Sequence, residues 1–264
     1  PYKWHKAIFN YCKKIKIKCF SSAFDQSSID LLEKLNCPIY KIASFEMTDL
    51  NLVKKVSKTK KPLIISTGMA NLNEIETTVK TAKQYGAKDI TLLYCISNYP
   101  AKDKEFNMNN IKILREKFNC RVGFSDHSKN NDMAKIAVAL GAEVIEKHIA
   151  LEKQKSGLDI EFSLKGSEIK EFSKSIHQVY SIIGKNKFLR FKSESISKKL
   201  RRSIFAVQDI SKGEKFTKKN IRRIRPGHGL PPKYYDTLIS LRSPSTIKRG
   251  APIKAIHLKK LKIK

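Results

Sequence analysis

The chain has 264 residues, is 41% hydrophobic and carries 54 Lys and Arg against 24 Asp and Glu, a formal net charge of +30. That length and apolar content suffice for one large domain, or one large and one small. No run of about 18 or more apolar residues is present to span a membrane as a helix.

The five cysteines (Cys12, Cys19, Cys37, Cys95, Cys120) form no CxxC pair and are odd in number. This pattern fits reduced thiols in a cytoplasmic protein better than a disulfide framework or a zinc site. The positive charge is spread along the chain, densest in KKIKIK (13–18), KTKK (58–61) and KKLKIK (259–264). No zinc finger, RNP-like motif or aromatic-interleaved basic stripe accompanies it. The charge therefore reads as a solvated lysine surface, and nucleic-acid binding is kept only as a reading from another class.

The opening decamer PYKWHKAIFN has no apolar h-region, so it does not read as a signal peptide. It also lacks an initiator Met, which leaves open a fragment or a processed product. Six apolar, β-rich runs follow: IKCFSS (17–22), IYKIAS (39–44), PLIIST (62–67), ITLLYC (90–95), RVGFSDH (121–127) and EVIEKH (143–148). Between them, 28–35, 71–85, 111–118 and 132–140 have the 3.6-residue period of helices. Asn71 with Glu74 three residues on has capping-box spacing, and Gly86 and Gly141 stand where helices end. Apolar strands each followed by a helix predict parallel βαβ units. Every strand ends in polar residues, which suits a (β/α) barrel whose strand ends converge on one site, although an ordinary barrel has eight strands.

After an amphipathic helix at 167–183, the stretch 184–199 is polar and charged. The rest has short strands with KGE and RGA turns, a small, mostly β domain. Within it DISKGEKFT (209–217) and TIKRGAPIK (246–254) form a weak internal repeat. The boundaries drawn are 1–188 for the barrel, 189–199 for a linker and 200–264 for the small domain.

Two of the six histidines, His127 and His148, end consecutive strands, beside Asp126 and Glu146. Adjacent strands lie ~4.8 Å apart, so both imidazoles can reach one divalent ion such as Mn²⁺, Zn²⁺ or Fe²⁺. The alternative is a pair of core histidines with satisfied ring nitrogens. In EKH, Glu146 and His148 share a face, and Lys147 points toward the helices. Lys41 sits in mid-strand and requires an anion, since burying an unpaired ammonium is costly. Ser44, Ser66, Thr67 and Gly68 add donors suited to a phosphate or carboxylate. The alternative is a lysine snorkelling at the barrel rim.

The series KIASFE, PLIISTGMA, GFSDHS and IEKH, followed by RPGHGLPPK, resembles the sialic acid synthase (NeuB-like) family. PYKWHKAIF, CFSSAF, YKIASFE, FSL and RRSIFAVQDISKGE resemble its pseudaminic acid synthase branch. The resemblance implies a (β/α)8 TIM-type barrel, with strands 3–8 present, followed by an antifreeze-like SAF domain. It implies an enzyme that condenses phosphoenolpyruvate with an N-acetylated aminosugar. For that branch the sugar is 2,4-diacetamido-2,4,6-trideoxy-L-altrose and the products are pseudaminic acid and phosphate, formed with C–O cleavage.

By motif, His127 and His148 would hold Mn²⁺ or Mg²⁺. Lys41, Ser22, Ser44, Ser66 and Ser125 would bind phosphoenolpyruvate, with Ser97 and Tyr99 beside them. Glu146 would orient the attacking water. Asp159 would contact the sugar, and Arg225 would reach the sugar of a neighbouring subunit in a domain-swapped homodimer. The family's first two βα units, with E-x-G-x-N-H-x-G-like and K-x-Q motifs, have no counterpart in the chain. The expectation is therefore a barrel that is incomplete at its N-terminus. The rival sugars are N-acetylneuraminic or legionaminic precursors, and the rival from another class is a non-catalytic, anion-binding remnant.

Overall fold

The structure, a computed structural model, describes residues 2–258, so the basic run at 259–264, which closes the expected small domain, lies outside the described residues. Two compact units divide the chain, Pro1–Lys185 and Asn186–Lys264.

The first unit opens with helix α1 (Tyr2–Lys14). Strands and helices then alternate: β1 (Ser21–Ser22), α2 (Gln26–Lys34), β2 (Tyr40–Ile42), α3 (Leu50–Lys58), β3 (Leu63–Ser66), α4 (Leu72–Gln84), β4 (Ile90–Cys95), α5 (Asn110–Phe118), β5 (Arg121–Asp126), α6 (Asp132–Ala139) and β6 (Ile145–Lys147). The strands form one parallel sheet in the order β1-β2-β3-β4-β5-β6. Each of the six expected runs supplies one of them. Helices cover the outer face, so Tyr40, Ile42, Leu63, Ile65, Leu92 and Phe124 are sealed against helix residues such as Leu32, Val53, Val79 and Leu114. Each such side chain contributes roughly 1.5–3 kcal/mol by leaving water.

The sheet is strongly curved. β2 and β6 are four places apart, which in a flat sheet would separate them by ~19 Å. Lys41 on β2 nevertheless touches Glu146 on β6 at 3.2 Å. Closing that gap requires the curl of a barrel wall, in agreement with the (β/α) barrel expected from the strand-end pattern.

The local signals act as expected at α4. Asn71 accepts from the amides of Asn73 and Glu74 at 3.0 Å each, and Glu74 accepts from the Asn71 amide at 2.8 Å. Two helices of this first unit, α1 and α3, carry no counterpart in the sequence reading. α1 has no acidic residue in its first turn, and its apolar residues Trp4, Ile8 and Tyr11 are exposed. α3 is only nine residues long and is started by Asp49, which accepts from the amides of Asn51 and Leu52.

Beyond β6, β7 (Ile149–Ala150) pairs in parallel with β8 (Leu164–Lys165), and helix α7 (Ile169–Ile183) closes the unit. The intervening loop 151–163 is thus folded back beside the end of β6. Leu164 donates its amide to the His148 carbonyl at 2.9 Å.

In the second unit the expected linker is partly helical, with a turn at Lys192–Glu194 and a short α8 (Ser195–Lys198) whose end is tied by the Gly227 amide to the Lys199 carbonyl. β9 (Ser203–Ala206) and β10 (Ile221–Ile224) pair antiparallel, and α9 (Tyr235–Ile239) packs Tyr235 and Leu238 onto Ile204, Phe216 and Ile221. The internal repeat is structural. Equivalent residues Ile210 and Ile247 exchange both backbone hydrogen bonds at 2.8 Å. The equivalent glycines Gly213 and Gly250 adopt φ +86° and +85°, a conformation that side chains with a Cβ rarely take.

Candidate active site

A cavity of about 600 Å³ opens at the C-terminal ends of the barrel strands. Ser22 from β1, Lys41 from β2, Ala43, Ser44 and Phe45 after it, Ser66 from β3 and Tyr99 after β4 form one side. Ser125 from β5 and His127 just after it, Glu146 from β6 and His148 just after it, and Asp159 from the following loop form the other. Ten of the twelve residues singled out in the sequence therefore line one cavity. The register explains this on the β5–β6 side: Ser125 lies opposite Glu146, and alternate residues along each strand face the same way.

Lys41 is buried, and its ammonium is paired with Glu146, 3.2 Å from each carboxylate oxygen. The Glu146 Oε1 atom also accepts from the Ser125 hydroxyl at 2.7 Å. Ser44 accepts from the Gly68 amide and contacts the Cys95 thiol, both at 3.2 Å. Burial pushes the Cys95 thiol up from its ordinary pKa. The hydroxyls of Ser66 and Ser97 are buried and have no hydrogen-bond partner among the described residues. Unsatisfied buried hydroxyls are costly and point to a polar ligand. Ser97 is not part of the lining and lies behind it, where a Cβ on Gly68 would come within 2.1 Å of its Oγ.

His127 is 4% exposed, and burial lowers its pKa, favouring the neutral ring. Its Nδ1 lies 2.7 Å from the Ile96 carbonyl oxygen, which can only accept. The proton is therefore on Nδ1, and the Nε2 lone pair faces the cavity with only a long, 3.4 Å contact to the Ser125 hydroxyl. The His148 Nδ1 atom lies 3.4 Å from Asp159 Oδ2, a carboxylate placed to orient that ring. The two imidazole centroids are 5.3 Å apart. Two oriented imidazoles in one polar cavity fit a divalent metal as a partial ligand set. No group of three or more His, Cys, Asp or Glu arranged for a metal is found among the described residues. Remaining positions would fall to water or substrate oxygens.

Phe162 was not among the expected residues. It is buried, with ring centroids 5.8 Å from His127, 5.1 Å from His148 and 6.0 Å from Tyr99, so it packs against all three. Its only trace in the sequence is the FSL triplet. The pKa of Tyr99 is raised, chiefly by burial, so its phenol stays protonated. The sequence reading also turned Lys147 toward the helices. It does leave the cavity, but it is buried against Asp126 at 3.0 Å. Arg225 follows β10 in the second unit and is exposed there. A separate cavity of about 550 Å³ beside α6 and α7 is lined mainly by apolar residues such as Val138, Phe172 and Ile176 and gathers no such set of hydroxyls.

The sequence matches the model of the NeuB family over residues 1–188 and that of the SAF domain over 201–259. It is 36% identical over 257 residues to the pseudaminic acid synthase of Helicobacter pylori, covering 97% of this chain and 75% of that protein. It is 40% identical over 240 residues to the N,N'-diacetyllegionaminic acid synthase of Campylobacter jejuni, covering 90% and 72%. Among solved structures, spore coat polysaccharide biosynthesis protein E from Chromobacterium violaceum superposes with a TM-score of 0.79 at 25% identity, covering 97% of this chain and 78% of that one. A curved parallel sheet with a polar cavity at its strand ends, followed by a SAF domain, agrees with these matches, and the chain belongs to the NeuB family of sialic-acid-synthase-type enzymes.

Proposed function

We propose that this protein condenses phosphoenolpyruvate with an N-acetylated aminosugar, and that the sugar is 2,4-diacetamido-2,4,6-trideoxy-L-altrose, which makes it a pseudaminic acid synthase. The observation that carries the reading is the single cavity joining a buried lysine, the unsatisfied Ser66 hydroxyl and two imidazoles. The similarity to the Helicobacter pylori enzyme supports the choice of sugar. The legionaminic relative, at 40% identity, supports a diacetamido sugar of the other configuration as the second reading.

In this reading Lys41 with Ser44, Ser66 and Ser125 binds the phosphate and carboxylate of phosphoenolpyruvate, Ser22 completes the polar wall, and Ser97 backs that wall from behind. The incoming anion replaces Glu146 as the partner of Lys41. Glu146, no longer paired with Lys41, is then free to orient a water toward C2 and take its proton. Asp159 contacts the sugar, and the Tyr99 phenol donates a hydrogen bond at the cavity wall. A divalent ion, Mn²⁺ or Mg²⁺, held by His127 and His148 would supply Lewis-acid polarisation of the sugar's carbonyl oxygen. In the overall reaction phosphoenolpyruvate C3 bonds to the aldehyde carbon, water adds at C2, and the C2–O bond breaks to release phosphate.

Arg225 reaching the sugar of a second subunit, in a domain-swapped homodimer, belongs to the same proposal. So do a cytoplasmic location and the division into a barrel at 1–188, a linker at 189–199 and a SAF-type domain at 200–264. Among the described residues no helix is long and apolar enough to cross a membrane. NMR spectroscopy of the product made from each sugar, which separates stereoisomers of one mass, tests the specificity. A nonulosonic acid with two acetamido groups in the pseudaminic configuration is expected. Efficient formation of the legionaminic or N-acetylneuraminic product would replace the assignment.

A further inference from the structure

Behind the cavity wall lies a second, fully enclosed polar cluster that the proposed reaction does not use. β5 and β6 pair with Ser125 opposite Glu146 and Asp126 opposite Lys147. Because alternate residues face opposite ways, Asp126 and Lys147 stand on the side away from the cavity. There the Asp126 side chain is 0% exposed and that of Lys147 is 4% exposed. The Lys147 ammonium donates to Asp126 Oδ2 at 3.0 Å and to the Ser128 carbonyl at 2.5 Å. The other Asp126 oxygen, Oδ1, accepts from the Ser128 amide at 2.8 Å and lies 2.6 Å from the Ser128 hydroxyl.

These contacts bracket the residues that matter. Asp126 and Ser128 flank His127, and Lys147 separates Glu146 from His148. β6 is only three residues long and, among the described residues, pairs with β5 alone, so its backbone ladder is a weak determinant of register. A slip of one residue would turn Glu146 and His148 out of the cavity and Lys147 into it. A buried ion pair adds little net stability over apolar residues of the same volume, and its best-attested use is to fix registry.

We propose that the Asp126–Lys147 pair, with Ser128, is a positioning device that sets the separation and height of His127 against Glu146 and His148. The proposal rests on the reading of these histidines as one site.

The test is the double variant Asp126→Leu/Lys147→Met, an apolar pair of similar volume. It is expected to melt at or above the wild-type temperature, yet its crystal structure should show the His127 and His148 rings displaced from their 5.3 Å separation. Mn²⁺ affinity, read by electron paramagnetic resonance, should weaken by about 10–100-fold, as for other residues that orient metal ligands. The kcat for phosphate release should fall with it, with a smaller change in the KM for phosphoenolpyruvate. A folded double variant with unchanged ring separation overturns the proposal, because the pair then holds only the fold. If the apolar pair does not fold, Asp126→Asn keeps the shape, removes the charge and is read in the same way. Absence of Mn²⁺ binding by the wild type would remove the metal reading instead, and the ring separation would still decide the role of the pair.

Discussion

Lys41 Nζ lies 3.2 Å from both carboxylate oxygens of Glu146, across a cavity whose two sides come from β2 and β6. The buried ammonium is thus paired with an acid from the far side of the barrel wall. In the proposed reaction that pairing couples substrate binding to release of Glu146. Hydrogen bonds to charged groups contribute about 1.5–3 kcal/mol. Lys41→Met should therefore raise the KM for phosphoenolpyruvate by about 10–100-fold. Glu146→Gln should leave that KM unchanged or lower, and reduce kcat by about 10²–10⁴-fold, the usual contribution of a general base. Steady-state kinetics on the two variants separates the roles. Equal losses of both parameters in both variants would contradict the coupling.

The histidine pair makes a separate prediction. His148→Ala should abolish metal-stimulated turnover without changing the fold, since His148 is partly exposed and its ring supports no core packing of the barrel sheet. Circular dichroism and activity across a Mn²⁺ titration check this. Full activity at saturating Mn²⁺ would remove His148 from the metal site.

Gly68 tests the anion pocket by volume alone. A Cβ there would lie 2.1 Å from Ser97 Oγ, 2.8 Å from Ser44 Oγ and 3.0 Å from Cys95 Sγ. Gly68→Ala must therefore displace the hydroxyls proposed to hold the substrate. Loss of one or two such hydrogen bonds, at about 1 kcal/mol each, should weaken phosphoenolpyruvate binding about 5–30-fold. Isothermal titration calorimetry with phosphoenolpyruvate gives the value, and unchanged affinity would place the anion elsewhere.

A pH effect on stability is expected away from the site. Glu33 accepts from Lys61 and from the Tyr40 phenol, both at 2.7 Å, and these bonds, the Lys61 one foremost, lower its pKa below the usual 4.5. The unfolded chain therefore binds the proton more readily than the folded one. This contribution is complete above about pH 4.5 and is lost as the pH falls through the lower folded value. Glu33→Gln should lower the melting temperature at neutral pH and flatten the loss of stability between pH 4.5 and pH 3. Parallel pH profiles for wild type and variant would contradict it.

Much of this site is visible in the chain itself because parallel strands end in polar residues at the same end of a barrel. Lys41, Ser66, Ser125, His127, Glu146 and His148 all belong to apolar runs whose last residues had to meet at one rim. Phe162 and Asp159 are a different matter. They reach the cavity through an irregular loop held by the short β7–β8 pairing, which has no periodic signature. Only the family resemblance marked them, Phe162 through the FSL triplet and Asp159 as the expected sugar contact. The Asp126–Lys147 pair needed the strand register, because the alternation rule gives a side chain's face but not its partner. Helix α1 has an apolar stripe but no acidic first turn, so nothing in its sequence marks a start. In the second unit the repeat was visible because equivalent isoleucines and glycines recur, and it is those isoleucines that pair.

The central claim is that the cavity at the strand ends uses phosphoenolpyruvate and a diacetamido aminosugar. Phosphate release from phosphoenolpyruvate with Mn²⁺ tests it most directly. The acceptors are 2,4-diacetamido-2,4,6-trideoxy-L-altrose, N-acetylmannosamine and no sugar. Release with the altrose sugar alone, lost in Lys41→Met, is the expected result. Release with N-acetylmannosamine in preference, or none with any acceptor, would contradict the account.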